Sequence, residues 1–472
     1  MKRALITLAV SVTVAFAAPA APAATFTPGA PGAGDPFFPL AGNGGYEVRH
    51  YSLRLDYEPQ NNALDARAVI SARAGQDLSR FNLDLRGLHV ARVTVDGRSA
   101  AFRRDGQELV ITPAAGIRRG RAFEVAVDYA GHPNPIIDPD KSKDGWIPTN
   151  DGAFVVNEPQ GSPSWYPAND TPKDKATYDF TITVPEGRTA IANGLLVGTT
   201  DNGDTTTWRW RASDPTAPYL ATATNGIFET EFGTLPSGLP EYNAVDPQTR
   251  QFGTKEPNPD LAWQRLALNG PAVDLFSGLY GPYPFESVGG VMDWAPNVFY
   301  SLESQTRPMY WHVASEATVI HEIAHMWFGN SVTLEVWPDI WLNEGFATWS
   351  EWIWSERTGG PSAAQTFDEL YATPEDSDAG QDLWFPAPAA LPGPEQMFHT
   401  PVYDRGAMTL QALREKVGDD VFFAMLRSWY TENRNGNVTT ADFIALAERV
   451  SGQQLDAFFQ VWLYEAGRPE SW

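Results

Sequence analysis

Residues 321–325 have the types and spacing of a metal site with an adjacent base. They read HEIAH and fit the pattern H-E-x-x-H, in which side chains four positions apart share one face of a helix. The imidazoles of His321 and His325 can therefore reach one metal ion. Glu322 directly follows a predicted ligand and must point elsewhere, which would set it beside a metal-bound water as the general base.

A carboxylate is expected as the third ligand, with the fourth position left to water. Glu344, 19 positions after His325, is the predicted donor and lies on the next strong helix, which begins near Trp341. Two histidines and one carboxylate can also hold iron in oxygenases. Zinc is favoured, because the glutamate between the two histidines provides the base that hydrolysis needs.

Glu351 lies seven residues after Glu344, two turns along the same predicted helix. From there its carboxylate could bind the second nitrogen of a ligand histidine, as carboxylates near metal sites commonly do. The competing interpretation is a glutamate that faces solvent.

Apolar residues recur at helical spacing from about residue 261, so the second half is predicted to be mainly helical. The predicted helices are 261–279, 315–328, 341–357, 403–417, 420–432, 440–450 and 455–464. Proline and glycine punctuate 376–394, which is predicted to be a surface loop.

The preceding half, from 46 to about 228, alternates apolar and polar residues in short runs, as in His50–Tyr57. This period indicates antiparallel sheets. The predicted fold is α+β and multidomain. An N-terminal antiparallel β-sandwich-like domain (46–235) precedes a mainly helical catalytic domain (236–472), and the proline- and glycine-rich stretch 229–259 contains the boundary.

Composition excludes several classes of function. The 472 residues include no cysteine, so disulfides, thiolate metal sites and a cysteine nucleophile are excluded. The net charge of −24 opposes nucleic-acid binding and attracts cations, including peptide amino termini.

The N-terminus has the pattern of a secretory signal peptide, predicted as residues 1–23. Lys2 and Arg3 precede an apolar run, and Ala21 and Ala23 form a small-x-small cleavage site. The expected product is a secreted protein with no membrane segment after cleavage, beginning with a loose Pro/Gly/Ala-rich lead-in (24–45).

Residues 321–330 read HEIAHMWFGN and 341–348 read WLNEGFAT, with eighteen residues between His325 and Glu344. These motifs resemble the gluzincin zinc aminopeptidases of the aminopeptidase N and leukotriene-hydrolase type. Further similarities in the first half extend the resemblance over nearly the whole mature chain. It implies a zinc aminopeptidase with a thermolysin-like catalytic domain, in a short two-domain form that lacks the family's C-terminal helical domain.

The resemblance also assigns three site residues. Tyr403 stands in VYDRGA, similar to the family's V-Y-E-K-G-A, whose tyrosine donates its O–H to the oxyanion. Glu303 stands in YSLES, where the family has G-A-M-E-N with a glutamate that binds the substrate's ammonium group. Glu158, in NEPQ, resembles the second amine-binding residue.

The sequence thus predicts a secreted Zn²⁺ aminopeptidase whose partners are peptides with a free N-terminus. Two alternatives stay open. Without the covering C-terminal domain, the cleft could serve a zinc endopeptidase. A non-catalytic peptide-binding protein on a peptidase scaffold is the other alternative, against which the complete set of Glu322, Tyr403 and ligands argues.

Overall fold

A computed structural model describes residue 5 and residues 9–11, 25–251 and 260–470. The predicted signal peptide therefore lies outside the described residues, apart from residue 5 and residues 9–11. Within the described ranges, none of the helices combines the length and the apolar character needed to cross a bilayer.

An eight-stranded sheet dominates the first half. Along Tyr46–Glu58, Tyr51, Leu53 and Leu55 are buried while Ser52 and Arg54 are exposed, so the period-two prediction holds. The pairing is antiparallel except where Ala176–Pro185 runs parallel to Tyr46–Glu58. In spatial order the strands are Leu195–Asp201, Thr205–Thr216, Ala176–Pro185, Tyr46–Glu58, Ala63–Ala74, Ala122–Gly131, His89–Val95 and Arg98–Ser99.

Two smaller sheets complete the β domain and enclose its core. The first has five strands, in the order Ile136–Ile137, Lys143–Pro148, Ala153–Val156, Ala223–Gly226 and Thr189–Ala192. The second has four, in the order Thr27–Pro28, Leu78–Asp84, Glu108–Thr112 and Ala101–Asp105. The predicted fold class is confirmed, with a mostly-β domain preceding a helical one.

The lead-in is fixed to the fold, contrary to the prediction that it is loose. Phe38 and Ala41 are buried in the core of the second domain. One Asp35 carboxylate oxygen accepts the backbone N–H of Trp337 at 2.8 Å. The segment contains apolar residues among its prolines and glycines, and their burial stabilises it against the second domain. The proline and glycine content alone did not predict this.

A four-stranded sheet opens the second domain, in the order Glu229–Thr234, Pro240–Val245, Val288–Met292 and Met309–Tyr310. The boundary predicted at residue 235 falls between the first two of these strands. Leu302 and Met309 exchange backbone hydrogen bonds of 2.9 and 2.8 Å, which fixes the chain immediately before Glu303.

Ten α-helices lie between residues 260 and 470. They are α1 (Leu261–Leu266), α2 (Asn269–Tyr280), α3 (Glu316–Ala324), α4 (Trp341–Thr358), α5 (Ala363–Tyr371), α6 (Asp378–Trp384), α7 (Gly406–Val417), α8 (Asp419–Asn433), α9 (Thr440–Ser451) and α10 (Asp456–Phe459). Five-residue π-helical turns occupy Pro401–Arg405 and Gln460–Tyr464.

Two helix predictions were wrong in detail. The single helix predicted over 261–279 is divided into α1 and α2 by a tight turn, in which the N–H of Leu268 bonds the carbonyl of Arg265. The predicted loop 376–394 contains α6. Ser377 caps the start of this helix, because its hydroxyl accepts the N–H of Gly380. Buried Leu383 and Trp384 hold α6 against the core, so packing overrides the local proline and glycine content.

Candidate metal centre

Helix α3 carries His321, and His325 follows as its C-cap residue in helical conformation, so both side chains lie on one face. The Ser315 side chain caps its first turn by accepting the N–H of Thr318 at 3.0 Å. Ile320 and Ile323 are fully buried and anchor the opposite face. The rings of His321 and His325 consequently lie beside each other, with centroids 4.7 Å apart.

Glu344 reaches the same point from α4. One of its carboxylate oxygens lies 3.1 Å from Nε2 of His321 and 3.5 Å from Nε2 of His325. One donor atom from each of the three residues lies within 4.8 Å of the others. The structure therefore brings together the three side chains that the motif spacing selected.

The outer nitrogen of each imidazole already has a partner. Nδ1 of His321 lies 2.7 Å from a Glu351 oxygen, and Nδ1 of His325 lies 3.0 Å from the carbonyl oxygen of Phe328. Both partners are acceptors, so each Nδ1 donates and each Nε2 presents its lone pair to the shared point. Two such nitrogens and one carboxylate oxygen form a donor set suited to zinc.

The electrostatics of Glu344 agree with a ligand role. Burial raises the pKa of this carboxyl, but His325 and His321, which are cationic until a metal displaces the proton on Nε2, outweigh burial and lower the pKa to about 2. The carboxylate is thus ionised over the neutral range, as metal binding requires.

Glu322 is almost completely buried beside the donor set. A carboxylate oxygen of Glu322, one of Glu303 and a nitrogen of His325 lie within 4.8 Å of one another. Burial, more than any neighbouring charge, raises the pKa of Glu322 to about 8. A carboxyl with a pKa near neutrality can both take and return a proton.

Tyr403 lies in the π-helical turn that leads into α7. Its ring is roughly parallel to that of His321, with centroids 6.1 Å apart. Burial and the nearby glutamates raise the pKa of Tyr403 well above its ordinary value. The phenol therefore keeps its proton and remains a hydrogen-bond donor.

Glu303 and Glu158 converge from different domains. Both are buried, and within the described ranges one carboxylate oxygen of each has no hydrogen-bond partner. Burial, followed by the charge of Glu303, raises the pKa of Glu158. Asn330 holds the segment by donating its amide to the carbonyl of Glu303 at 2.8 Å. Two buried carboxylates without partners favour a cation between them.

One cavity of about 640 Å³ connects all of these groups. The eight predicted site residues all line it, namely Glu158, Glu303, His321, Glu322, His325, Glu344, Glu351 and Tyr403. Lining residues that sequence reasoning missed include Lys141 and Lys143 of the β domain, together with Phe299 and Phe398. No motif marks them, because their place at the cavity depends on how the two domains pack.

Three features define the class of protein. They are the histidine pair, the carboxylate from a second helix and the cavity shared with a β domain. The described residues form a β domain and a helical domain with a metal-binding site of the H-E-x-x-H type. The model of the peptidase M1 N-terminal domain matches residues 47–220, and the model of the peptidase family M1 domain matches residues 294–462. The chain belongs to peptidase family M1, which confirms the resemblance seen in the motifs.

Individual relatives agree with the family models. Aminopeptidase N of Streptomyces lividans is 28% identical over 326 residues, which cover 63% of this chain and 37% of that protein. A probable aminopeptidase of Sulfurisphaera tokodaii is 22% identical over 89% of this chain and 53% of its own length. The chain thus spans between about a third and a half of these relatives.

Among solved structures, the M1 zinc metallopeptidase of Deinococcus radiodurans is similar over almost its entire length. The TM-score is 0.82 at 28% identity, covering 93% of this chain and 99% of that one. A mutant of a two-domain M1 zinc metallopeptidase that is also 28% identical to this chain has been crystallised with L-arginine and with L-tryptophan.

Proposed function

We propose that this protein is a zinc-dependent aminopeptidase, which removes the first residue from peptides with a free N-terminus. The observation that carries the proposal is the pair of buried carboxylates, Glu303 and Glu158, in the same cavity as the donor set of His321, His325 and Glu344. The pair provides a site for an ammonium group next to a site for hydrolysis.

The chemistry that zinc supplies when held by His321, His325 and Glu344 is Lewis-acid polarisation of the scissile carbonyl and activation of water. Glu322 lies beside the donor set, where it takes a proton from the attacking water and passes it to the leaving amine. The C–O bond forms first, and the C–N bond then breaks as the leaving nitrogen takes up the proton, so one water is consumed for each residue released. Tyr403 donates its O–H to the oxygen on which negative charge develops.

Glu303 and Glu158 restrict the reaction to the first residue. An ammonium group that enters the cavity pairs with these two carboxylates, whose buried oxygens have no other partner among the described residues. Charge-assisted hydrogen bonds in a buried site are strong and directional. They fix the amino terminus, so the peptide bond presented to the catalytic groups is the first one.

What is known of related structures supports a peptide substrate. A mutant of the Deinococcus radiodurans metallopeptidase was crystallised with the substrate Tyr-Ser-Ala. That tripeptide carries a free ammonium group, the feature that Glu303 and Glu158 would bind here.

The test compares a free tripeptide with its N-acetylated form, using protein loaded with zinc. Release of the first residue from the free peptide alone supports the aminopeptidase. Equal cleavage of both forms would support an endopeptidase with an open cleft, and binding without cleavage would support the non-catalytic alternative. Removing zinc with a chelator should abolish turnover, and adding zinc back should restore it.

We also propose that the protein is secreted. The support is the sequence of residues 1–23. It begins with the positively charged Lys2 and Arg3, continues with an apolar run and ends with the small-x-small cleavage site at Ala21 and Ala23. N-terminal sequencing of protein exported by a secretion-competent host should begin at Ala24. Retention of the full chain in the cytoplasm would contradict the proposal.

A further inference from the structure

Lysine is scarce in this acidic chain, and most of the lysines that the structure describes have partners. The sequence contains seven lysines, five of which lie in the described ranges. Lys173 pairs with Glu335 at 3.4 Å. Lys175 donates to three backbone carbonyls, and the ammonium of Lys416 lies over the ring of Phe458.

The remaining two, Lys141 and Lys143, both line the catalytic cavity. Among the described residues, neither ammonium has an ion-pair partner within 4.0 Å or a hydrogen-bond acceptor. They are also the only lysine or arginine residues in the described lining of this cavity. In a protein with 58 acidic and 34 basic residues, two neighbouring lysines without a carboxylate partner are unexpected.

The turn that carries Lys141 and leads into the strand beginning at Lys143 is internally fixed. One oxygen of the Asp140 carboxylate accepts the N–H and hydroxyl of Ser142 at 2.9 and 2.6 Å. Lys141 adopts a φ of 75°, a left-handed conformation that is uncommon for a side-chain-bearing residue. The carbonyl of Lys143 accepts the hydroxyl of Tyr300 at 2.8 Å, so the turn is tied to the segment that leads to Glu303.

The cavity therefore carries charges of both signs. Its carboxylates include Glu303 and Glu158, which suit an ammonium group, and its two ammonium groups suit a carboxylate. A zwitterion with its charges a few residues apart has the matching pattern. The volume of about 640 Å³ lies within the roughly 300–1,000 Å³ typical of small-ligand pockets, a size that suits a short peptide.

We infer that Lys141 and Lys143 bind the C-terminal carboxylate of the substrate, so that the preferred substrates are short free peptides. This inference rests on the proposed aminopeptidase function and adds the substrate class. Longer peptides place their carboxylate beyond the lysines, since each extended residue adds about 3.3–3.6 Å, and they gain nothing from the pair.

The test compares the tripeptide Ala-Ala-Ala with its C-terminal amide. In the wild type, kcat/KM for the acid should exceed that for the amide by about tenfold, as two partly exposed ion pairs would give, mainly through KM. In the double variant K141Q/K143Q the acid-to-amide ratio should fall to about one. K141R/K143R should keep most of the ratio, and the matched control K416Q, which removes one exposed lysine charge outside the cavity, should keep all of it.

A second arm separates the two sources of a carboxylate. The amide of Ala-Glu-Ala carries a side-chain carboxylate but no terminal one. If this amide is cleaved as well as the acid Ala-Ala-Ala, the lysines recognise side chains and the inference is overturned. It is also overturned if the wild type does not distinguish acid from amide, or if K141Q/K143Q retains the ratio. If no peptide with a free N-terminus is cleaved, the aminopeptidase function itself is refuted.

Discussion

Gly345 and Gly406 meet where α4 and α7 cross. A Cβ atom on Gly345 would lie 2.9 Å from the backbone of Gly406, closer than side-chain carbons are found in proteins. The residue before Gly345 is the ligand Glu344, and Tyr403 lies three residues before Gly406. The absence of two side chains thus lets the helices approach closely enough to set the tyrosine beside the metal site.

Gly345→Ala should therefore reduce both stability and activity. The added methyl group meets backbone, which cannot move aside as a flexible side chain can, so we expect destabilisation of about 1–3 kcal/mol. Displacement of Tyr403 relative to Glu344 should lower kcat. Thermal unfolding and kcat measurements on the zinc-loaded protein test both effects.

The control is Gly278→Ala, in the exposed part of α2. A Cβ at Gly278 meets nothing within 4 Å, so alanine should stabilise the helix by about 0.5–1 kcal/mol. Equal behaviour of the two variants would contradict the packing argument.

Glu322→Gln should lower kcat by about 10³-fold, since an amide cannot accept the proton that general-base catalysis transfers. Glutamine has the same shape, and Glu322 is not among the three proposed ligands. Zinc content measured by atomic absorption should therefore remain at one ion per chain. Near-full activity in the zinc-loaded variant would overturn the mechanism.

Tyr403→Phe should lower kcat by about 10²–10³-fold with little change in KM, because the lost hydrogen bond stabilises charge that develops only in the transition state. Steady-state kinetics on a free tripeptide provide the measurement. Tyr464→Phe, on the partly exposed tyrosine of the last π-helical turn, removes the same hydroxyl outside the cavity and should leave both constants unchanged. A Tyr403→Phe effect confined to KM would assign the hydroxyl to substrate binding.

Glu351→Gln should weaken zinc binding by about 10–100-fold, since Glu351 accepts the outer N–H of His321 and fixes its orientation. Competition with a chelator measures the affinity directly. The control is Glu356→Gln. Glu356 lies on the same helix, and its carboxylate accepts hydrogen bonds from Arg414 instead of a histidine. Zinc affinity should be unchanged in this control, and a similar loss in both variants would indicate a general effect on α4.

The metal donors could be predicted because their geometry is encoded locally. The i, i+4 spacing fixes His321 and His325 on one helical face, and Glu344 stands in a second helix motif at a characteristic distance. The contact between Glu351 and His321 follows from the same periodicity, because seven residues are two turns. These predictions required only that helices form where the apolar pattern places them.

Other features depend on contacts between distant segments and left little local signal. Glu303 stands in a motif that departs from the family pattern, and its place is set by the Leu302–Met309 bridge and by Asn330. Lys141 and Lys143 reach the cavity because a turn of the β domain packs against Tyr300. No period or spacing in the sequence reports such packing.

A pair of carboxyl groups in the β domain makes stability depend on pH. Asp84 and Glu108 are directly opposite each other on neighbouring antiparallel strands, where like charges destabilise a sheet. Both are buried. Burial, with help from the charge of Asp84, raises the pKa of Glu108 to about 8, and burial raises the pKa of Asp84 to about 7.

The direction in which stability changes with pH follows from proton binding in the folded and unfolded states. Between the ordinary glutamate pKa of about 4.3 and the folded value of about 8, the folded protein binds more protons at Glu108 than the unfolded chain does. The stability contributed by the protonated form is complete below the unfolded pKa and is lost as pH rises through the folded one. The β domain should therefore become less stable from about pH 5 to about pH 8.

Glu108→Gln removes this titration while keeping the side-chain shape. Relative to the wild type, the variant should gain stability as pH rises over that interval, by about 1 kcal/mol after allowance for solvent screening. Urea unfolding followed at both pH values measures the difference. Glu124→Gln, an exposed glutamate on the strand Ala122–Gly131, removes one surface charge and should leave the pH dependence unchanged. A wild type and a Glu108→Gln variant with parallel pH profiles would show that Glu108 titrates alike in the folded and unfolded states, contrary to its burial opposite Asp84.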